Sequence, residues 1–264
     1  MQKTNLTQTR TPAFITALSI ILVSVFLSSG CASKGDETES VRSSRFAPDE
    51  AAQRLFDRGE YMMTRGNFES AIRHFEQLET QYPLSKHTRQ AQINLIYSHY
   101  KRGNKELAVD AANQFIKENP VHKKLDYVYY VLGLTHFDKQ NNRVENLLRI
   151  DRNKRPQGDM QDALDYFQTL ITKYPQSEYA TDAKQRMVFI RERLATHDLR
   201  VAQYYARRNI HIAASNRAKN ILEKYPDTKA ARHALNILET SYTKMGMPEL
   251  AADIRRVKQA NSLK

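Results

Sequence analysis

Few side chains in this sequence have the types and spacing needed for chemistry. The chain has eight histidines and a single cysteine, Cys31. His74, His99 and His136 fall on expected helix faces without a second ligand at metal-binding spacing, so the sequence predicts no metal site. It also lacks a Gly-rich phosphate loop, a His-Glu-x-x-His pair and a Gly-x-Ser-x-Gly turn. These absences favour a protein that binds other molecules over an enzyme with a catalytic centre or a cofactor.

Cys31 is the residue whose position predicts a covalent modification. A single cysteine cannot form a disulfide within its own chain. It follows a polar, basic start, an uninterrupted apolar run over 14–27 and a few small residues, which is the order of a secretory signal. The run would extend about 21 Å as a helix, less than the roughly 30 Å of a bilayer core. We therefore expect residues 1–30 to be a cleaved signal peptide, with a short transmembrane anchor as the alternative.

The residues on either side of Cys31 suggest what is attached to it. Gly30-Cys31 resembles a bacterial lipobox, in which the cysteine thiol is diacylglycerated, the chain is cut before it and the new amine is acylated. Ser28 stands where the usual pattern has an aliphatic residue. Several acyl chains, at about 0.8 kcal/mol per buried methylene, anchor a protein without a spanning helix. Ala32, in place of an aspartate, points to the outer membrane by resemblance to enterobacterial-type sorting.

The first mature residues are polar. Residues 31–46 are Ser-rich and cannot bury apolar surface, so they should form a lipidated, flexible tether.

The net charge of the chain is strongly basic. The formal charge of +12 suits nucleic acid, an anionic membrane surface or an acidic partner. No helix-turn-helix, zinc-finger or aromatic-stacking signature accompanies it, and an exported protein rarely meets nucleic acid. We therefore expect no nucleic-acid partner.

Four copies of one residue pattern predict a helical repeat architecture. Each copy has Gly or Asn, then Ala after five residues, an aromatic or Ala after four more, an apolar residue after three and Pro after five. The copies begin at Gly66, Gly103, Gly158 and Asn209, and a fifth begins at Gly246. In a tetratricopeptide repeat these positions turn the chain, let two helices approach, fill the gap between them and end the second helix. The expected fold is all-α, a right-handed superhelix of about five tetratricopeptide-like repeats over residues 47–260.

Two segments depart from the regular period. An insertion of 18 residues, 141–158, precedes the third copy. Residues 178–195 add a further amphipathic stretch, which could continue unbroken to Tyr205. We expect an N-terminal half of about 47–177 and a C-terminal half of about 178–260.

The first helix of each repeat should line a concave face that is rich in aromatic side chains. Asn94, Tyr97 and Lys101 follow one another at helical steps of three and four, and Tyr127 and Tyr130 begin the next first helix. Aromatic rings beside a few polar groups suit an extended peptide, so these five residues form the expected peptide groove. The alternative is that Tyr97 and Tyr130 lie in the seam between repeats and only stabilise the stack.

Beyond generic repeats, the chain resembles the BamD family of outer-membrane lipoproteins over nearly its whole mature length. The segments that carry the resemblance include 95–101 (LIYSHYK), 126–130 (DYVYY), 174–179 (YPQSEY), 201–205 (VAQYY) and 213–217 (AASNR). Even the insertion in the third repeat is shared, with its Asp151-Arg152. One departure is Leu148-Arg149-Ile150, which stands where the family usually has Phe-Gly-Val.

This resemblance implies a non-enzymatic scaffold of the β-barrel assembly machinery, lipid-anchored at the periplasmic face of the outer membrane beside other lipoproteins of that machinery. Its C-terminal repeats would dock onto the periplasmic domains of the barrel subunit BamA through Asn216 and Arg217. The planar fork of an arginine suits a carboxylate partner, although Arg217 pairing within the stack is the alternative.

The N-terminal repeats would, by the same resemblance, receive unfolded outer-membrane β-barrel precursors through their C-terminal strand signal. Asn94 and Lys101 would hold the terminal carboxylate while the tyrosines cover the aromatic end. Two other classes stay open. One is a different tetratricopeptide-type lipoprotein, an adaptor in cell division or envelope maintenance. The other is a peptidoglycan-acting enzyme, for which the sequence offers no catalytic constellation.

Overall fold

The computed structural model describes residues 48–138 and 157–262, and within these ranges it contains ten α-helices and no strand. All of the described residues belong to a single compact unit. Predictions for Cys31, for the tether over 31–46 and for nearly all of the insertion over 141–158 lie outside the described residues.

The helices follow one another as five hairpins. They are α1 (Pro48–Thr64) and α2 (Phe68–Gln81), α3 (Thr88–Arg102) and α4 (Lys105–Glu118), α5 (Leu125–Asp138) and α6 (Gly158–Lys173), α7 (Ala180–Arg207) and α8 (His211–Lys224), α9 (Lys229–Lys244) and α10 (Pro248–Ser262). Each helix packs on the next, and the first helices α1, α3 and α5 also contact one another in turn, as do α7 and α9. The predicted all-α stack of tetratricopeptide-like hairpins is confirmed.

The turns inside the hairpins explain most of the repeated Gly and Asn positions. Gly66, Gly103 and Gly246 have φ of 74°, 87° and 71°, and Asn209 has φ of 59°. This left-handed region is open to glycine and tolerated by asparagine, so these four residues end one helix and reverse the chain. Gly158 was expected to do the same, and that prediction is wrong. It is instead the exposed first residue of α6, because the insertion reaches the helix there.

The small residue five positions after each turn lies at the contact between two helices. The five alanines in this position are at most 1% exposed: Ala71, Ala108, Ala163, Ala214 and Ala251. Two first helices add a glycine that is packed equally tightly. A Cβ atom at Gly59 would lie 2.4 Å from the ring of Phe75, and one at Gly133 would lie 2.4 Å from the ring of Phe167. Each phenylalanine ring therefore leaves room only for a glycine at the facing position of the neighbouring helix.

The Tyr-Pro motifs form one recurrent helix end. Tyr82, Tyr174 and Tyr225 each donate their backbone N–H to the carbonyl four residues earlier, and their own carbonyl accepts from the backbone N–H three residues later. Asn119, before Pro120, makes the same pair of bonds, so the degenerate fourth motif is structurally equivalent. Proline suits the second position of such a turn because its φ is already near the required value.

The first helix of the fourth hairpin is much longer than the others. α7 runs without interruption over 28 residues from Ala180 to Arg207, so the extra segment and the following first helix are one element. Its buried positions recur at helical spacing and include Ala183, Met187, Ile190 and Leu194. These side chains belong to the largest hydrophobic cluster, which also contains Met160 and Phe167 of α6.

Candidate protein-binding surface

Five aromatic rings form a continuous series of contacts across α2, α3, α5 and the residue before α7. The ring centroids are 6.1 Å apart for Phe68 and Tyr97, 6.5 Å for Tyr97 and Tyr127, and 5.4 Å for Tyr127 and Tyr179. Tyr179 then stacks on Tyr130 at 4.8 Å. All five side chains are half-buried. We call this set the aromatic run, and its partly exposed rings offer a rigid apolar surface.

Three of the predicted groove residues meet at the middle of this run. Tyr97 on α3 contacts Tyr127 on α5 because these first helices are neighbours in the stack. Lys101, one helical turn after Tyr97, is exposed, and its Nζ lies 6.0 Å from the centre of the Tyr97 ring. A cation at that distance is weakly attracted to the ring face. The arrangement places the exposed ammonium group of Lys101 beside the Tyr97 ring, which in turn contacts Tyr127.

Asn94 is placed differently from the other predicted groove residues. Its side chain is only 7% exposed. The side-chain oxygen accepts a hydrogen bond of 2.9 Å from Gln90 Nε2, and the amide donates one of 3.4 Å to Glu60 on α1. These bonds satisfy the amide inside the protein, and the carboxylate of Glu60 would repel a second carboxylate. The structure therefore does not bring Asn94 to the exposed surface where Lys101 lies.

Tyr130 joins the third hairpin to the fourth. Its hydroxyl donates a hydrogen bond of 2.7 Å to Asp182 on α7, which also accepts from Arg186. Burial pushes the pKa of Asp182 upward, but the hydrogen bonds from Arg186 and Tyr130 outweigh it and hold the pKa below its ordinary value. Burial raises the pKa of Tyr130 itself, so its hydroxyl remains a donor. Tyr130 thus makes the contacts of a residue in the seam between repeats, and its ring also stacks on Tyr179 of the aromatic run.

Further contacts extend the run, and sequence reasoning did not identify the partners in them, which are Arg186, Phe189 and Asp138. Arg186 lies with its guanidinium 5.2 Å from the centre of the Phe137 ring, and Phe137 contacts Phe189, which is 51% exposed. Tyr100 donates a hydrogen bond to Asp138 at the end of α5. Burial and a hydrogen bond with Glu178 together raise the pKa of Tyr179 to about 12. No local pattern signals the contacts of Tyr100 and Phe137, because each joins residues of two different helices that are at least 38 positions apart in the sequence.

Asn216 and Arg217 lie on the outer face of α8. Both side chains are exposed, while Ala214, Ala218 and Ile221 on the other side of the helix are buried. Within the described parts of the chain, Arg217 makes no hydrogen bond or ion pair. An exposed guanidinium on a rigid helix is available for a carboxylate of another protein.

Away from these surfaces, three potential metal ligands meet between α5 and α6. They are His136, Asp159 and Asp162, with one ligand atom from each within 4.8 Å of the others. The sequence analysis predicted no second ligand near His136, and the structure corrects that expectation.

No helix in the described part of the chain is long and apolar enough to cross a membrane. A family model described as outer membrane lipoprotein, YfiO, matches residues 48–257. These residues include both the aromatic run and the Asn216-Arg217 surface.

Three curated relatives are similar to most of the chain, and each is named outer membrane protein assembly factor BamD. The protein of Pasteurella multocida is 36% identical over 209 residues, covering 79% of this chain and 80% of the relative. That of Vibrio cholerae is 34% identical over 242 residues, or 92% and 97% of the two chains. That of Neisseria meningitidis serogroup A is 34% identical over 233 residues, or 88% and 86%.

Proposed function

This chain belongs to the YfiO family of outer-membrane lipoproteins, and from that premise we propose that it is a non-enzymatic scaffold of the β-barrel assembly machinery. In this role it binds BamA and unfolded outer-membrane β-barrel precursors, so that the precursors fold and insert into the outer membrane. The observation that carries the proposal is the similarity to curated BamD proteins over most of both chains.

The proposed location is the periplasmic face of the outer membrane, with acyl chains on Cys31 as the anchor. Residues 31–46 then connect the anchor to α1. This location would place the chain beside BamA and the other lipoproteins of the machinery.

The aromatic run is the proposed receiving surface for precursors. Barrel precursors tend to end in an aromatic residue with a free carboxylate, which needs an apolar wall and a cation close together. Tyr97 and Tyr127 supply the wall, and the exposed Lys101 supplies the cation. Because the rings are already held by one another, little side-chain freedom is lost on binding.

The proposal is tested by purifying the lipidated wild-type chain from outer membranes through an affinity tag. We expect BamA and other lipoproteins of the machinery to copurify in near-stoichiometric amounts. A preparation that instead retains cell-division or peptidoglycan proteins, and no BamA, would show that the protein is an adaptor of another kind.

Loss of Lys101 and shortening of Tyr127 should weaken binding of a peptide that copies a C-terminal barrel strand. For the double variant Lys101→Ala, Tyr127→Leu we expect about a tenfold lower affinity, or about 1.4 kcal/mol, because one charge partner and part of the ring contact are lost. Leucine keeps apolar volume at 127, so the melting temperature should change little. Fluorescence anisotropy with a labelled peptide measures the affinity.

Two controls separate a groove from a structural role. Lys117→Ala removes an exposed lysine from α4 and should leave the affinity unchanged. A peptide with an amidated C-terminus should bind wild-type protein as weakly as the free acid binds Lys101→Ala, since both lack the same charge pair. If the double variant melts many degrees lower while its folded fraction binds normally, these residues belong to the core and the groove lies elsewhere.

A further inference from the structure

An imidazole and two carboxylates converge where the third hairpin closes. His136 is in the last turn of α5, while Asp159 and Asp162 are one turn apart at the start of α6. The Nδ1 atom of His136 lies 3.7 Å from a carboxylate oxygen of Asp159 and 3.5 Å from one of Asp162. We propose that these three side chains bind a divalent transition-metal ion, with Zn²⁺ as the ion that fits them best.

The distances suit a shared ion better than direct hydrogen bonds. Hydrogen bonds between a ring nitrogen and an oxygen are about 2.7–3.2 Å long, and both separations exceed that. Zinc bonds to nitrogen and oxygen are about 2.0–2.2 Å, so two ligand atoms around one ion are roughly 3.2–3.7 Å apart. The separations of the two carboxylates from Nδ1, 3.7 and 3.5 Å, fall in this second range.

The imidazole ring of His136 is held in a fixed orientation, but its nitrogens lack hydrogen-bond partners among the described residues. Its side chain is 14% exposed, yet both ring nitrogens are shielded from solvent and neither has a hydrogen-bond partner within the described residues. A shielded polar atom without a partner destabilises the folded state, and a metal bond would remove that penalty at Nδ1. The ring stacks on Tyr166 of α6 at 5.3 Å, which fixes its orientation.

The close approach of the two helices explains why the ligands meet. Gly133, one turn before His136, has no side chain and faces the ring of Phe167, so α5 and α6 approach closely at this level. The 3-residue step from Asp159 to Asp162 then directs both carboxylates to the same face of α6. The site is therefore built on two rigid helices, as metal ligands require.

The ligand types select the class of ion. A neutral imidazole with carboxylates is typical of zinc and related first-row ions, whereas calcium and magnesium prefer oxygen ligands alone. Three protein ligands leave a fourth position for water. A surface cleft reaches the His136 side chain from the side of α4, and its other lining residues are Lys105, Glu106, Val109, Asp110 and Thr135. A bound ion would cross-link the two helices of the third hairpin and stabilise the folded state.

The test uses the mature lipidated chain in detergent, carrying no polyhistidine tag and stripped with EDTA. Titration with zinc chloride in a calorimeter should show one saturable site, and the melting temperature followed by circular dichroism should rise with zinc. His136→Gln and Asp162→Asn should each lower the affinity at least tenfold and abolish the rise. Asp165→Asn, one turn further along α6 and exposed, is the matched control and should bind like wild type.

Absence of a saturable site in the wild type, or equal zinc affinity in wild type and His136→Gln, would overturn the proposal. The second result would assign the binding to other histidines. Circular dichroism of the metal-free variants shows whether they fold. Asp162 is 55% exposed, so Asp162→Asn keeps the test valid even if His136→Gln unfolds. Displacement of zinc by an equal concentration of magnesium would also contradict a transition-metal site.

Discussion

Replacing Cys31 with Ala should release the protein from the outer membrane or leave its precursor uncut. The prediction rests on the lone cysteine, which lies at the end of the apolar run over 14–27. Each buried acyl methylene contributes about 0.8 kcal/mol, so removing every chain at once removes the whole anchor. Membrane fractionation followed by salt and carbonate washing measures the effect.

Ser33→Ala is the matched control for this experiment, because it changes a nearby residue of the same segment and leaves the thiol in place. It should fractionate with the outer membrane as wild type does. A Cys31→Ala protein that is cut normally and still resists carbonate washing would show that something other than lipid on this residue holds the protein to the membrane.

The fold was largely predictable because the repeat positions obey local steric rules. A residue that must adopt φ near +60 to +90° is Gly or Asn, and an alanine between two helices is recognisable by its fixed distance from that turn. Gly158 is an exception to this rule. Its distance from Ala163 is the repeat distance, but Gly158 is itself the first residue of α6 and is 20 positions after Asp138, the last residue of α5.

The candidate surface was predictable only in part, because helical spacing identifies a face and not its neighbours. Tyr97 contacts Tyr127, and Lys101 lies over the Tyr97 ring. Spacing alone does not show that Glu60 on another helix bonds to the amide of Asn94. Nor does it show that α7 supplies Asp182 to Tyr130.

The metal-ligand cluster was missed for a related reason. His136 and Asp159 are 23 positions apart in the sequence, with the insertion between them, so no motif of metal-binding spacing connects them. They meet because α5 and α6 pack closely along their length, which is a property of the hairpin and not of either segment.

Reversal of the charge at Arg217 should weaken binding to the periplasmic domains of BamA. We expect Arg217→Glu to cost about 2–5 kcal/mol, which is roughly a 30-fold or greater loss of affinity, because a charge pair is broken and a repulsion is added. The side chain is exposed on α8 and has no ion-pair partner in the described parts of the chain, so the helix itself should remain folded. Calorimetry with the isolated BamA domains measures the affinity, and circular dichroism checks the fold.

The control for Arg217→Glu is Lys219→Glu, which makes the same charge change on the same helix at another exposed position. Residues 217 and 219 project about 200° apart around an α-helix, so a docked partner that covers one leaves the other at its edge or in solvent. A large loss for Arg217→Glu with a small loss for Lys219→Glu places the carboxylate partner at Arg217. Equal losses would mean that BamA responds to the overall basic charge of the protein. Unchanged affinity in a correctly folded Arg217→Glu variant would remove Arg217 from the interface.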